Sequence, residues 1–371
     1  MASYEQRQLP MNDTDLSKLE RRLGGLHAKQ RLGIETDHEA QIFGQGIMFF
    51  HIENWYPVHS VIRNALKLTG LYWRGRKNAE RVQVRHNDIS SKALPSRFNG
   101  FTLLQISDLH VDINEGAMRR LTELLPNLSY DVCVLTGDYR GLTFGPFDAA
   151  LEGLKRVLSH LNGSIYGVLG DHDTIRMVPG LEEMGIHMLL NECEAISRDG
   201  QSIYLAGIDD AHYYRVDNIE KAASVIPQDG FSILLSHTPE IYRQAAYAGF
   251  DLLLSGHTHG GQICLAVTPT TSPIRNSRPR SGAQAVVTRT ATRTPRMVFE
   301  EPNSGRPSMK LRFPSRGHAK WFARISFAMT GAPFASVTRI KSCRMDKYCI
   351  VYFISRWTTP TRNQPIVLIN R

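Results

Sequence analysis

Between Phe101 and Gly256 the chain repeats one pattern, a short apolar run followed by a turn and then residues at helical spacing. The runs are FTLLQIS, DVCVLTG, SIYGVLG, HMLLN, SIYLAGI, FSILLSH and DLLLSG. Helix-spaced segments lie at Met118–Leu125, Phe147–Leu161 and Glu240–Tyr247. Strands alternating with helices predict α/β layering. No internal repeat interrupts the pattern.

The residues directly after these runs are of one chemical kind. QISDLH ends in Asp108 and His110, VLTGDY in Asp138, and VLGDHD in Asp171, His172 and Asp173; LLSH ends in His237 and LLSGHTHGG in His257 and His259. A single Asp or His after a strand is ordinarily a turn residue. In an α/β sheet, however, the loops at one end of the strands share a crevice, so donors distant in sequence can converge. Mixed carboxylate and imidazole donors suit Mn, Fe or Zn better than Mg. Seven donors exceed the needs of one ion and suffice for two.

In order and spacing these motifs resemble those of the calcineurin-like metallophosphoesterases, D-x-H, G-D, G-N-H-D, a lone H and G-H-x-H. The likeness spans about residues 100–262 and is nearest to a bacterial branch whose last motif reads GHTHGGQ, as Gly256–Gln262 does here. Some members of that branch act on lipid-linked phosphodiesters. The resemblance implies a four-layer α/β/β/α sandwich and hydrolysis of phosphoesters with two divalent ions (Mn, Fe or Zn). It assigns Asp108, His110 and His259 to the first ion, Asp138 to a bridging position, and Asp171, His237 and His257 to the second. His172 would serve the leaving-group oxygen as acid or transition-state stabiliser, with Asp173 orienting its ring. Two cations about 3.5–4 Å apart lower the pKa of a bridging water and clamp the phosphoryl oxygens. Asp171 departs from the pattern: it stands where the family has Asn, keeping the oxygen and adding a charge.

Charge divides the chain. The net charge of +9 resolves into −7 over residues 1–264 and +16 over residues 265–371. The expected organisation is an N-terminal extension (1–95), a metallophosphoesterase domain (96–265) and a basic tail (266–371). Most of the tail is Thr, Ser, Pro and Arg without sustained periodicity, a composition that favours disorder; only Lys347–Trp357 and Pro365–Ile369 look strand-like. Two readings of the tail stand: a basic arm for nucleic acid or anionic membrane, or the product of a shifted reading frame, which would leave the sheet without its last strands.

In the extension, residues 1–40 are polar with an Arg/Lys-rich stretch at Lys18–Arg31, and read as a frayed or helical leader. Apolar residues from Val58 to Leu66 are helix-spaced with Gly70 as the stop, and Val82 and Val84 alternate as in a strand. Trp55–Lys77 joins an apolar stripe to aromatic ends and a basic cluster, read as packing on the body, with interfacial lipid contact as the alternative. Asp209 and Asp210 come after a further strand, near the cleft or in a solvated turn. His51, His59, His86, His160, His187 and His212 lack motif context and read as structural or exposed. The five cysteines are scattered and read as reduced thiols, with Cys133 buried in a strand. The longest apolar run, Tyr348–Ile354, is too short to span a membrane. The polar N-terminal stretch lacks the pattern of a secretory signal, so the expected location is cytoplasmic, with peripheral contact at the inner membrane face.

The expected reaction is hydrolysis of a phosphoester, a phosphodiester or lipid-linked pyrophosphate in particular. The alternatives are a nuclease or cyclic-nucleotide phosphodiesterase, and a catalytically silent binding module of the same fold.

Overall fold

A computed structural model describes residues 11–42, 64–259, 263–265, 284–287, 325–327, 334–342 and 350–353. The strands are β1 (Val84–Ser91), β2 (Thr102–Ser107), β3 (Val132–Leu135), β4 (Ser164–Gly167), β5 (Ile186–Met188), β6 (Glu192–Arg198), β7 (Gln201–Gly207), β8 (Ser232–Ser236), β9 (Leu252–Ser255), β10 (Ile263–Leu265), β11 (Gln284–Val287), β12 (Ile325–Phe327), β13 (Phe334–Ser342) and β14 (Ile350–Phe353). A six-stranded sheet runs β1-β13-β2-β3-β4-β5 and a four-stranded sheet runs β6-β7-β8-β9. β2 to β5 are mutually parallel, as are β7 to β9. β10 pairs with β12, and β11 with β14.

Alternation along the strands explains why the sheets stack. Leu103, Val132 and Val134 of the larger sheet and Ile233, Leu235, Leu252 and Leu254 of the smaller one share a single buried core between them. The alternate residues Leu104, Ile106, Cys133 and Leu135 face outward and are covered by Ala117, Met118 and Leu121 of the helix Glu115–Leu124 and by Ala150, Leu154 and Val157 of Asp148–Leu158. On the far side Ala206, Leu234 and Leu253 meet Ala222 and Ala245 of two short helices. This is the four-layer α/β/β/α sandwich. Each fully buried Leu or Ile contributes about 1.5–3 kcal/mol.

Segments outside 96–265 also build it. Phe334–Ser342, read from sequence as irregular tail, is a strand lying parallel to β1 and antiparallel to β2, with Val337 opposite Leu104. Ala335 and Ile340 are fully buried. The disordered reading of the tail is corrected at this segment, and the larger sheet has the strand that fills the place beside β2. Of the expected tail strands, Ile350–Phe353 forms β14, while Pro365–Ile369 lies outside the described residues. The strand expected at Val82 begins at Val84.

The leader residues form two helices, α1 (Asp13–Leu23) and α2 (Gly25–Ile42). Asn12 caps α1 by accepting from the Asp15 amide, and Leu19 and Leu23 pack against the helices of the larger sheet. Gly70, at φ 72, ends the helical segment before it as expected, and a further helix, Leu71–Ala79, follows it; residues 51–63 lie outside the described set. Leu68 and Trp73 are exposed. No helix among the described residues is long and apolar enough to cross a membrane.

Candidate metal centre

The donors sit directly beyond the carboxyl ends of parallel strands, β2, β3 and β4 in one sheet and β8 and β9 in the other, so both sheets deliver them to one edge. Backbone bonds stitch that edge together: Asp108 N donates to Gly137 O at 3.1 Å, His110 N to Asp138 O at 3.0 Å, and Gly256 N to His237 O at 2.9 Å. Gln105 Nε2 crosses between the sheets to Ser255 O at 3.0 Å. A Cβ on Gly137 would lie 2.6 Å from Gly170 N, so only glycine allows this close approach.

Two adjoining clusters result. Asp108, His110, Asp138 and His259 form one, and Asp171, His237 and His257 the other, with donor atoms inside each within 4.8 Å of one another. Asp138 stands between them, its Oδ2 3.6 Å from His110 Nε2 and 3.3 Å from His237 Nε2. Asp171 Oδ1 lies 2.8 Å from His237 Nε2 and 3.1 Å from His257 Nδ1. The structure thus brings together all seven residues expected as ligands.

Outer contacts aim the rings. His110 Nδ1 donates to Arg140 O and His237 Nδ1 to Thr136 O, both at 2.7 Å. A carbonyl only accepts, so each Nδ1 carries the proton and each Nε2 is turned inward. Burial pushes the Asp138 carboxyl upward, but His237 and His172 beside it hold it well below the usual carboxylate range. Burial likewise opposes the charge on Asp171, and hydrogen bonds from His237 and His257 override it. His237 is driven the other way: burial disfavours its charged form, yet the Asp138 and Asp171 carboxylates raise it well above the ordinary imidazole value.

Divalent cations fit this donor set. Asp108 Oδ2 is buried with no hydrogen-bond partner among the described residues. The Nε2 atoms of His110 and His259 face each other at 3.3 Å, on rings stacked within 10° of parallel. Converging carboxylate oxygens and imidazole nitrogens are the hard-to-borderline donors such ions prefer.

A profile of the calcineurin-like phosphoesterase family matches residues 101–261. The chain is also 30% identical over 201 residues to the uncharacterized metallophosphoesterase YkoQ of Bacillus subtilis, covering 52% of this chain and 73% of that protein. The chain belongs to the calcineurin-like phosphoesterases. A Danio rerio transmembrane protein with metallophosphoesterase domain is 32% identical over 194 residues, 47% of this chain and 44% of its own length, so less than half of that relative is spanned. Among solved structures, Haemophilus influenzae NAD nucleotidase aligns over 43% of this chain and 38% of its own at 19% identity, with a TM-score of 0.33.

Within this calcineurin-like site, Asp173 does not orient the His172 ring. Its carboxylate accepts from the amides of Asp138, Tyr139 and Gly170 at 2.8–2.9 Å. His172 Nδ1 instead meets Thr143 Oγ1 at 3.1 Å, and Arg140 Nε holds His172 O at 2.6 Å. His212 is exposed, as expected; its ring is tilted 48° to that of His257 at 5.0 Å between centroids, and its Nδ1 bonds Glu240 Oε2 at 2.9 Å. Asp209 and Asp210 are buried rather than in a solvated turn. No local spacing marks Thr143, Arg140 or His212, because each reaches the site through loop geometry. Cys133 is buried in β3 as expected, and burial pushes its thiol far up.

Proposed function

We propose that this chain hydrolyses phosphoesters, with Asp108, His110, Asp138 and His259 holding one divalent ion and Asp171, His237, His257 and the shared Asp138 holding a second. The supporting observation is the joining of two donor clusters by one buried carboxylate, Asp138. When bound, divalent ions supply Lewis acidity toward phosphoryl oxygens and lower the pKa of water. The chain's own residues do the rest. Three carboxylates against two divalent charges leave the centre net positive toward a phosphate, by one charge less than with the family's Asn at position 171. His172, anchored at Nδ1 by Thr143, would use Nε2 to pass a proton to the leaving-group oxygen.

Among phosphoesters, the reading favours a diester or lipid-linked pyrophosphate. The exposed apolar side chains Ile113 and Leu142 border the loop that carries Thr143 and suit a substrate with an apolar part. Exposed Leu68 and Trp73 beside Lys67, Arg74, Arg76 and Lys77 suit peripheral contact with a lipid surface. Metal-depleted protein is expected to turn over bis-p-nitrophenyl phosphate only after Mn is restored, and Asp138→Ala to lose at least about 10³-fold in kcat along with bound metal. A folded wild-type chain that binds no metal and shows no turnover would point to a silent binding module instead.

A further inference from the structure

On the reading of this centre as hydrolytic, we infer that the N-terminal helix pair is a working part of it, with Arg31 and Glu35 as positioning residues that fix the loop bearing Asp171 and His172. The two side chains stand one helical turn apart on the same face of α2. Both are buried, Arg31 at 0% and Glu35 at 3% exposure, and they pair at 2.9 Å. Sinking an ion pair costs more desolvation than an apolar pair of the same size. What the pair does secure is geometry.

Its contacts fall on the residues immediately after His172. Arg31 Nη2 donates to Asp173 O at 2.9 Å. Glu35 Oε1 accepts from the Ile175 amide at 2.8 Å, and Oε2 accepts from Thr174 Oγ1 at 2.5 Å and from Arg176 Nη1 at 2.8 Å. Asp173 in turn holds the amide of Asp138, so the path from α2 to the shared carboxylate is continuous. On its other side Arg31 lies 3.4 Å over the Tyr214 ring and 3.6 Å from Asp209 Oδ1. The neighbouring Asp210 carboxylate accepts from the amides of the turn that carries His212. One helix therefore ties the site loop of the larger sheet to that of the smaller. Misplacement of catalytic groups by about 1 Å costs roughly 10²-fold in rate, so a strut of this kind is expected to show in turnover.

The test uses the full chain, with Mn titration, steady-state kinetics on bis-p-nitrophenyl phosphate, and circular dichroism. Glu35→Ala and Arg31→Met are expected to keep the fold, to lower kcat at saturating Mn at least about tenfold with KM within about twofold, and to weaken Mn binding. Glu35→Gln, which keeps one acceptor oxygen, is expected to recover part of the loss. Lys29→Ala, on the exposed face of the same helix, is expected to leave all readouts unchanged. If Glu35→Ala does not fold, Arg31→Lys takes its place, since a lysine cannot reach Glu35 and Asp173 O together. Wild-type kcat and Mn affinity in a folded variant, whatever its melting temperature, overturn the inference. Absence of Mn-dependent turnover in the wild type overturns the hydrolytic reading instead, and the Mn titrations then still decide whether the pair positions the metal ligands.

Discussion

Five of the eight non-glycine residues with positive φ among the described residues are Asp108, His110, Asp138, His257 and His259. Left-handed backbone at a residue with a side chain costs about 1–3 kcal/mol, and it persists where surrounding contacts overdetermine it. Here those contacts are the edge hydrogen bonds, including His257 N to Asp108 Oδ1 at 2.9 Å. Neighbouring glycines are equally constrained: a Cβ on Gly256 would overlap Ser107 Oγ and come within 2.9 Å of Asp108 Oδ2. Gly256→Ala is therefore expected to lose about 1–3 kcal/mol of stability in urea denaturation and to weaken Mn binding. Unchanged values in both measurements would show that the edge relaxes without cost. At this scale the ligands are legible in sequence because each comes one to four residues after its own strand. The role of Asp173 is not, because adjacency to His172 suggests a ring contact whereas the folded loop turns its carboxylate onto three amides.

At the scale of elements, β13 is the instructive case. Its sequence FASVTRIKS mixes small polar residues with apolar ones, and Ser336 and Thr338 are buried along with Ala335, Val337 and Ile340. Short hydroxyl side chains fit where two strands flank a third, so burial there does not demand an apolar run. Ile340 fills the core between the sheets beside Ile89, Phe98 and Phe101. Ile340→Ala is expected to cost about 2–5 kcal/mol in chemical denaturation; a loss under about 0.5 kcal/mol would mean that this strand does not hold the sheet. α2 is equally opaque from sequence. Its polar sequence reads as a frayed or helical leader, but Arg31 is buried by partners more than a hundred residues away.

For the whole molecule, those same partners couple the N-terminal helices to the smaller sheet through charge. Burial pushes the Asp209 carboxyl upward, but Arg31 and His27 outweigh it and leave it below its ordinary value. His27 Nε2 lies 2.9 Å from Asp209 Oδ2. A carboxyl whose folded pKa is depressed adds stability above its unfolded pKa of about 3.9, and that stability is lost as pH falls through the folded value. Asp209→Asn is thus expected to be clearly less stable than wild type in urea at pH 7. The gap should narrow below about pH 4; a gap independent of pH would assign the contribution to packing instead.

From sequence alone came the strand and helix alternation, the ordered ligand motifs and the family. All of these are local, written in apolar runs of a few residues and in the polar residues at the end of each run. Tertiary structure decided that both sheets present their strand ends to one edge, that a strand from beyond residue 265 lies against β2, that Thr143 rather than Asp173 meets His172, and that α2 braces the loop behind it. These depend on contacts between residues far apart in the chain. No spacing rule records such contacts, because burial and hydrogen-bond partners exist only after the layers have packed.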